Sequence, residues 1–245
     1  MIKLFILNVG LSHKTADIET IEAVTFADKK KALEKLISFD SIFECGLVQT
    51  CNRVEIFAIV QDIEISSKNI IEYLLKKANY SAKVKDALRI RSQRDAISYI
   101  FRLGAGLESM IVGEDQILGQ LREAYKEAEE LGTIGAYLRP VFMKALTLGK
   151  LVRQQTQINR GAVSIGSAAV ELAEEVIGGL TGKTILIVGA GKMGTLVAKS
   201  LAEHKFTSIL VANRTFERGV RLAQQLGGQA IPFENLRKAL RDSDV

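Results

Sequence analysis

The chain has 245 residues, 47% apolar and 25% charged, and its 33 basic and 28 acidic side chains leave a formal net charge of +5. That length allows one or two domains with a self-sufficient core. Two cysteines (Cys45, Cys51) and two histidines (His13, His204) exclude a disulfide scaffold or a zinc module, because none has metal-ligand spacing. The apolar run Leu4-Phe5-Ile6-Leu7, followed by Ser12-His13-Lys14, is too short for a signal peptide, and nothing approaches the ~20 apolar residues of a membrane span. A cytoplasmic protein with reduced thiols is expected.

Phe5 to Gly10 reads as a strand, and Asp28 opens a helical pattern (Ala32, Leu33, Leu36, Ile37) that fades near Phe39. Glu44 to Gln49 and Val54 to Val60 are strand-type runs. Thr50-Cys51-Asn52-Arg53 connects them, with side chains free to face a substrate. Helical spacing returns from Ser66 to Ala78, with Ser66 or Ser67 as N-cap. Strand, helix, strand, strand, helix predicts a small α/β sandwich.

The middle third reads as helical: Gln116 to Leu131, stopped at Gly132; a helix after Arg139-Pro140, reaching about Thr156; and Ser164 to Ile177, stopped by Gly178-Gly179. From Arg139 to Arg160 the basic residues Arg139, Lys144, Lys150, Arg153 and Arg160 occur without Asp or Glu. Such a run is either a solvated helix face or a contact for an anion such as an RNA backbone. Past Thr181-Gly182 the pattern becomes β-α-β, so a boundary is expected between Arg160 and Thr181, with a partial Rossmann-type parallel sheet beyond it.

Thr184 to Val188 is a buried-strand run. Gly189-Ala190-Gly191-Lys192-Met193-Gly194 follows, then helix-forming Thr195 to Glu203 and a second strand, Ser208 to Ala212. The glycine pattern alone fits a plain turn, but strand before and helix after favour a dinucleotide site. Gly189 would make the tight turn, Gly191 would admit a pyrophosphate, and Gly194 would let helix and strand pack closely. The second strand ends in Ala212-Asn213-Arg214-Thr215 and offers no carboxylate for a ribose 2′-hydroxyl. An amide, a guanidinium and a hydroxyl suit a 2′-phosphate, so NADPH is favoured; alternatively Arg214 is a surface residue opening the next helix.

Cys45 lies in an apolar run and reads as a small core residue. Cys51 sits between Thr50 and Asn52-Arg53, where a neighbouring cation favours a thiolate. It is either a nucleophile or a structural thiol.

Gly10-Leu11-Ser12-His13-Lys14-Thr15, Thr50-Cys51-Asn52-Arg53 and Gly106-Leu107-Glu108-Ser109-Met110-Ile111-Val112-Gly113-Glu114-Asp115-Gln116-Ile117-Leu118-Gly119-Gln120 occur in that order. Together they resemble the successive motifs of the glutamyl-tRNA reductase family, and Gly161-Ala162-Val163-Ser164 and the glycine fingerprint agree with it. The resemblance implies a catalytic, glutamyl-tRNA-binding domain over 1–160 and a truncated NADPH-binding domain over 161–245. It implies an enzyme of tetrapyrrole biosynthesis that reduces glutamyl-tRNA to glutamate-1-semialdehyde and frees the tRNA. Carried over by motif, Cys51 is the nucleophile, Thr50, Asn52 and Arg53 line the glutamyl pocket with Arg53 toward the substrate carboxylate, and Ser109, Glu114, Asp115, Gln116 and Gln120 fall at further substrate-contact positions. Glu114 and Gln120 alternatively just begin the next helix. Implied partners are glutamyl-tRNA, an aminomutase that receives the aldehyde, and, for the full-length family, a second copy in a homodimer.

The implied chemistry explains the cysteine. Thiolate attack on the aminoacyl ester expels the tRNA 3′ end and leaves a thioester, which accepts hydride from NADPH more readily than the ester does. The family commonly has histidine where Tyr99 stands, before Ile100-Phe101-Arg102, and proline where Asp115 stands. A phenol with a pKa near ~10 cannot carry protons at neutral pH as imidazole does, but it can hydrogen-bond a substrate oxygen. Relatives also continue past Asp242-Ser243-Asp244-Val245, which resembles the beginning of a next strand, so the chain reads as a fragment or shortened product. A form that only binds or hydrolyses glutamyl-tRNA is the alternative function. A dehydrogenase for a small polar metabolite is a third reading, and it leaves the Thr50 to Arg53 quartet unexplained.

Overall fold

The computed structural model describes residues 3–158, 165–202 and 204–245. The chain divides into two compact units, Met1–Ala162 and Val163–Val245. Arg160, the Gly161-Ala162-Val163-Ser164 segment and Glu203 lie outside the described residues.

The first unit runs β1 (Phe5–Ser12), α1 (Ile18–Val24), α2 (Lys29–Ile37), β2 (Ile42–Thr50), β3 (Arg53–Val60), α3 (Ile63–Lys77), α4 (Ala82–Ala87), β4 (Arg89–Ser92), α5 (Gln93–Ala105), α6 (Gln116–Glu130) and α7 (Leu138–Gln155). Its strands form one antiparallel sheet in the order β2-β3-β1-β4. Every residue of β3 is buried, so helices must cover both sheet faces, and past Arg53 and Glu55 the strand reads as an unbroken apolar run, Ile56 to Val60, instead of an alternation. Phe57 of β3 stacks on Tyr99 of α5 and meets Phe142 of α7 edge-on, with ring centroids 6.4 and 5.8 Å apart. Such pairs add about 0.5–1.5 kcal/mol beyond the area they bury.

Caps set several helix starts. Asp17, Asp28 and Asp62 each accept the backbone N–H three residues on. The Asp62 cap corrects the expectation for Ser66 and Ser67, which lie inside α3 and are buried. The N-terminus of α7 has no capping side chain of its own. Buried Glu44 of β2 serves instead, accepting the Tyr137 and Leu138 N–H groups at 3.0 and 2.6 Å. A carboxylate suits that end of a helix, where unpaired donors and the macrodipole favour negative charge. Helix α1, short α4 and strand β4 lie between the expected elements, so the strand-helix-strand-strand-helix order was incomplete.

The second unit runs α8 (Ile165–Ile177), β5 (Thr184–Val188), α9 (Lys192–Leu201), β6 (Ser208–Ala212), α10 (Phe216–Gln225), β7 (Gln229–Ile231) and α11 (Leu236–Asp242). Its sheet is parallel in the order β5-β6-β7. On the other side of β5, Asp244 N–H bonds to the Thr184 carbonyl and Leu186 N–H bonds to the Val245 carbonyl. The last residues thus run alongside β5, the strand that leads into the glycine-rich turn. Helix α9 begins at Lys192, three residues before the expected Thr195, because Gly191 already adopts N-cap geometry. Among the described residues no helix is long and apolar enough to cross a membrane.

Candidate active site

Cys51 and Asn52 are the two central residues of the β2-β3 hairpin, closed by the Thr50-Arg53 pair. Thr50 Oγ1 accepts the Asn52 N–H at 3.0 Å, and the Asn52 carbonyl accepts the His13 N–H at 2.9 Å. This turn sits at the rim of a buried sheet. Cys51 is exposed, Thr50 and Asn52 are half-buried, and Arg53 is 2% exposed. Cys45 is fully buried, and loss of solvent pushes its thiol up to about 12. Only one of the two thiols is thus open to an electrophile.

Arg53 is less open than its assignment to the glutamyl pocket suggests. Its Nη1 donates to the Tyr99 hydroxyl at 2.9 Å, its Nη2 donates to the Glu108 carbonyl, and Glu55 Oε1 lies 3.7 Å away. The phenol of Tyr99 donates to Glu55, which also accepts from Asn8 at 3.1 Å. Arg91 stacks over the Tyr99 ring at 3.7 Å. Tyr99 is 2% exposed and its hydroxyl is engaged on both sides, by Arg53 and by Glu55. Burial pushes Glu55 above the usual carboxylate range against the opposing pull of Tyr99, Arg53 and Arg91. Burial and the Glu55 charge likewise push the phenol up.

The three motifs that are distant in sequence converge at this hairpin. Besides the His13-Asn52 bond, Lys14 Nζ pairs with Glu108 Oε2 at 2.7 Å, and Arg102 Nε holds the other carboxylate oxygen at 2.7 Å. Burial raises the pKa of Glu108, but the hydrogen bonds from Lys14 and Arg102 outweigh it and hold the carboxyl below its ordinary range. Next to it, Ser109 is 5% exposed and, among the described residues, its buried hydroxyl has no partner. His13 Nδ1 is also buried and unpartnered. Partial burial, Arg53 and Lys14 hold its imidazole below the ordinary value. Glu114 is half-buried and Asp115 exposed. Gln116 and Gln120 lie one turn apart on α6, both half-buried.

Sequence reasoning missed His13, Glu55, Glu108 and Arg153 as parts of this arrangement. The basic run was read as either a solvated helix face or an anion contact, and two of its members are already engaged. Arg139 pairs with Glu129 at 2.8 Å, and Arg153 turns inward with its side chain 8% exposed. Lys144 and Lys150 remain exposed, and Arg160 lies outside the described residues. Helix α7 thus carries a smaller basic face than the composition indicates.

In the second unit Gly189 (φ +106°) turns the chain out of β5. A side chain at Gly194 would land on the Gly189 carbonyl, so only glycine lets α9 start this close. Gly191 caps α9 with no side chain, which leaves the helix N-terminus open to a phosphate. Asn213 departs from its expected role. Its Oδ1 accepts the Ala190 N–H at 3.0 Å and its Nδ2 donates to the Thr215 carbonyl at 2.6 Å, tying the glycine-rich turn to the end of β6. Arg214 and Thr215 are exposed beside it, Met193 is 41% exposed, and Lys192 is the first residue of α9. This set fits a dinucleotide with a 2′-phosphate: an open helix end, a close glycine turn and an exposed guanidinium.

A unit that presents a thiol on a rigid hairpin, followed by a dehydrogenase-type nucleotide fold, defines the class. Residues 9–156 match the model of the glutamyl-tRNAGlu reductase N-terminal domain, and residues 171–245 match that of shikimate / quinate 5-dehydrogenase. The glutamyl-tRNA reductase of Methanothermobacter thermautotrophicus is 46% identical over 240 residues, covering 98% of this chain and 56% of the relative. That of Methanopyrus kandleri is 44% identical over 237 residues, covering 97% and 55%. The solved structure of glutamyl-tRNA reductase from Methanopyrus kandleri matches with a TM-score of 0.61 at 42% identity, over 100% of this chain and 57% of that one. The chain belongs to the glutamyl-tRNA reductase family, and it spans about half the length of the curated relatives it matches.

Proposed function

We propose that Met1–Ala162 takes the glutamyl group of glutamyl-tRNA onto Cys51 and that Val163–Val245 holds NADPH for its reduction to glutamate-1-semialdehyde. The observation that carries this reading is the exposed Cys51 on a hairpin joined to both other family motifs, through His13 on one side and Glu108 on the other. In the first half-reaction the Cys51 Sγ forms a bond to the ester carbonyl carbon. The ester C–O bond breaks, and the tRNA 3′ oxygen leaves with the proton the thiol gave up.

Arg53 supplies a fixed positive charge for the substrate carboxylate. The unpartnered Ser109 hydroxyl takes a hydrogen bond from or to the glutamyl group. His13, its imidazole held below the ordinary value and its backbone bonded to Asn52 of the turn, would receive the thiol proton. Thr50 and Asn52 shape the turn, and Glu114, Asp115, Gln116 and Gln120 border the substrate side.

When bound, NADPH supplies the hydride. Gly189, Ala190, Gly191, Lys192, Met193 and Gly194 would hold its pyrophosphate, and Arg214 with Thr215 would hold its 2′-phosphate, on the scaffold that Asn213 fixes. An aminomutase accepting the aldehyde, a homodimer and a cytoplasmic setting go with this reading.

The test is incubation with glutamyl-tRNA and NADPH. Cys51-dependent release of uncharged tRNA with matching NADPH oxidation is expected. Release without NADPH oxidation would identify a hydrolytic form instead, and hydride transfer to free carbonyl compounds without tRNA would reject the assignment.

A further inference from the structure

Arg153 stands on α7, outside the three motifs, yet its guanidinium is spent on the segment that carries Ser109 and Glu114. Nη1 donates to the Gly104 and Gly149 carbonyls at 2.8 and 2.9 Å, Nη2 donates to the Glu114 carbonyl at 2.5 Å, and Nε pairs with Asp115 Oδ1 at 2.9 Å. A guanidinium this deeply buried is tolerated only when its donors are satisfied. Moving the 106–115 backbone would therefore strand a charge.

The same segment has little slack elsewhere. A side chain at Gly113 (φ +85°) would land on the Ile158 carbonyl. The Gly106 carbonyl accepts both Ser109 N–H and Gly113 N–H, at 3.3 and 3.0 Å. Asp115, with 74% of its side chain accessible, is held in orientation by its ion pair with Arg153.

We infer that Arg153 is a positioning residue: it clamps residues 106–115 so that Ser109 and Glu114 meet the glutamyl group in one geometry. This rests on the substrate-contact reading of that segment. Arg153 does not touch the hairpin, so substrate capture should weaken while the thiol itself is unaltered.

The experiment measures single-turnover acyl transfer to Cys51 against glutamyl-tRNA concentration in the full chain, Arg153→Met and Arg153→Lys. Loss of charge-assisted hydrogen bonds predicts that Arg153→Met raises the half-saturating concentration about tenfold, with the saturating rate and iodoacetamide alkylation of Cys51 unchanged. Lysine, which keeps the charge and reaches some of the carbonyls, should restore part of it. An unchanged half-saturating concentration, or a loss confined to the saturating rate, overturns the inference. If Arg153→Met does not fold, Asp115→Asn should still raise the half-saturating concentration, and no rise overturns the inference. Amide exchange at Ser109 and Gly113 tests the clamp apart from the function: faster exchange in the variants supports it even where the parent chain forms no adduct, and unaltered protection overturns it.

Discussion

Nη1 of Arg53 donates to the hydroxyl of Tyr99 at 2.9 Å, and the same hydroxyl donates to Glu55, so the phenol links a buried cation to a buried acid. Where family members commonly carry an imidazole, this chain carries a group whose burial keeps it protonated. It holds the Arg53 guanidinium within this buried cluster, and the proposed proton acceptor is His13 instead.

Tyr99→Phe keeps the ring packing on Phe57 but strips the hydroxyl from both partners. Leaving buried polar groups unsatisfied costs about 1–3 kcal/mol. Urea unfolding should show that loss, together with weaker glutamyl-tRNA capture. Unchanged stability would mean that the hydroxyl does not hold the cluster.

Glu55 gives a pH dependence of defined sign. Burial raises its folded-state pKa above the 4.5 of an exposed glutamate, so the folded chain binds the proton more tightly. Its contribution to stability is full below about pH 4.5 and is lost as the pH rises through the raised value. Glu55→Gln should flatten this component of the unfolding midpoint as the pH is raised from 4.5 through the folded-state value. A parallel slope in parent and variant would assign the dependence elsewhere.

His13 has the opposite sense. Its pKa is lowered by burial, Arg53 and Lys14, so the protonated ring favours the unfolded chain, and stability falls as the pH drops below about 6.5 through the lowered value. The imidazole should titrate below free histidine by NMR, and His13→Gln should slow acyl transfer most near neutral pH, where the parent's ring is neutral and can accept the thiol proton, and least below the lowered value, where that ring is already protonated. A normal titration midpoint would remove His13 from the proposed proton path.

Much of this was legible in residue order. Strands around Thr50-Cys51-Asn52-Arg53 follow from apolar runs, and the stop of α6 at Gly132 and the nucleotide turn follow from glycine placement. What hydrogen-bond partners decide was not legible. Asp62 outcompetes Ser66 as a cap because the helix starts earlier, Glu44 caps α7 across 93 residues, and Arg153 turns inward because four acceptors surround it. A charge run in sequence does not show which of its cations are already engaged.

The proposed preference for NADPH rests on Arg214. Replacing it with glutamine should weaken NADPH binding in a fluorescence titration by about tenfold, the loss expected for one charge-assisted contact, and leave NADH binding unaltered. Gly194→Ala should weaken both nucleotides, because the new methyl meets the Gly189 carbonyl. Equal effects of Arg214→Gln on the two cofactors would contradict the 2′-phosphate assignment.

Peptide mapping by mass spectrometry after brief exposure to glutamyl-tRNA, with NADPH omitted, is the most direct measurement. The predicted result is one hydroxylamine-labile glutamyl group on the Cys51 peptide, absent from Cys51→Ser. A glutamyl group on Cys45, or one retained by Cys51→Ser, would contradict the proposed role of the hairpin thiol.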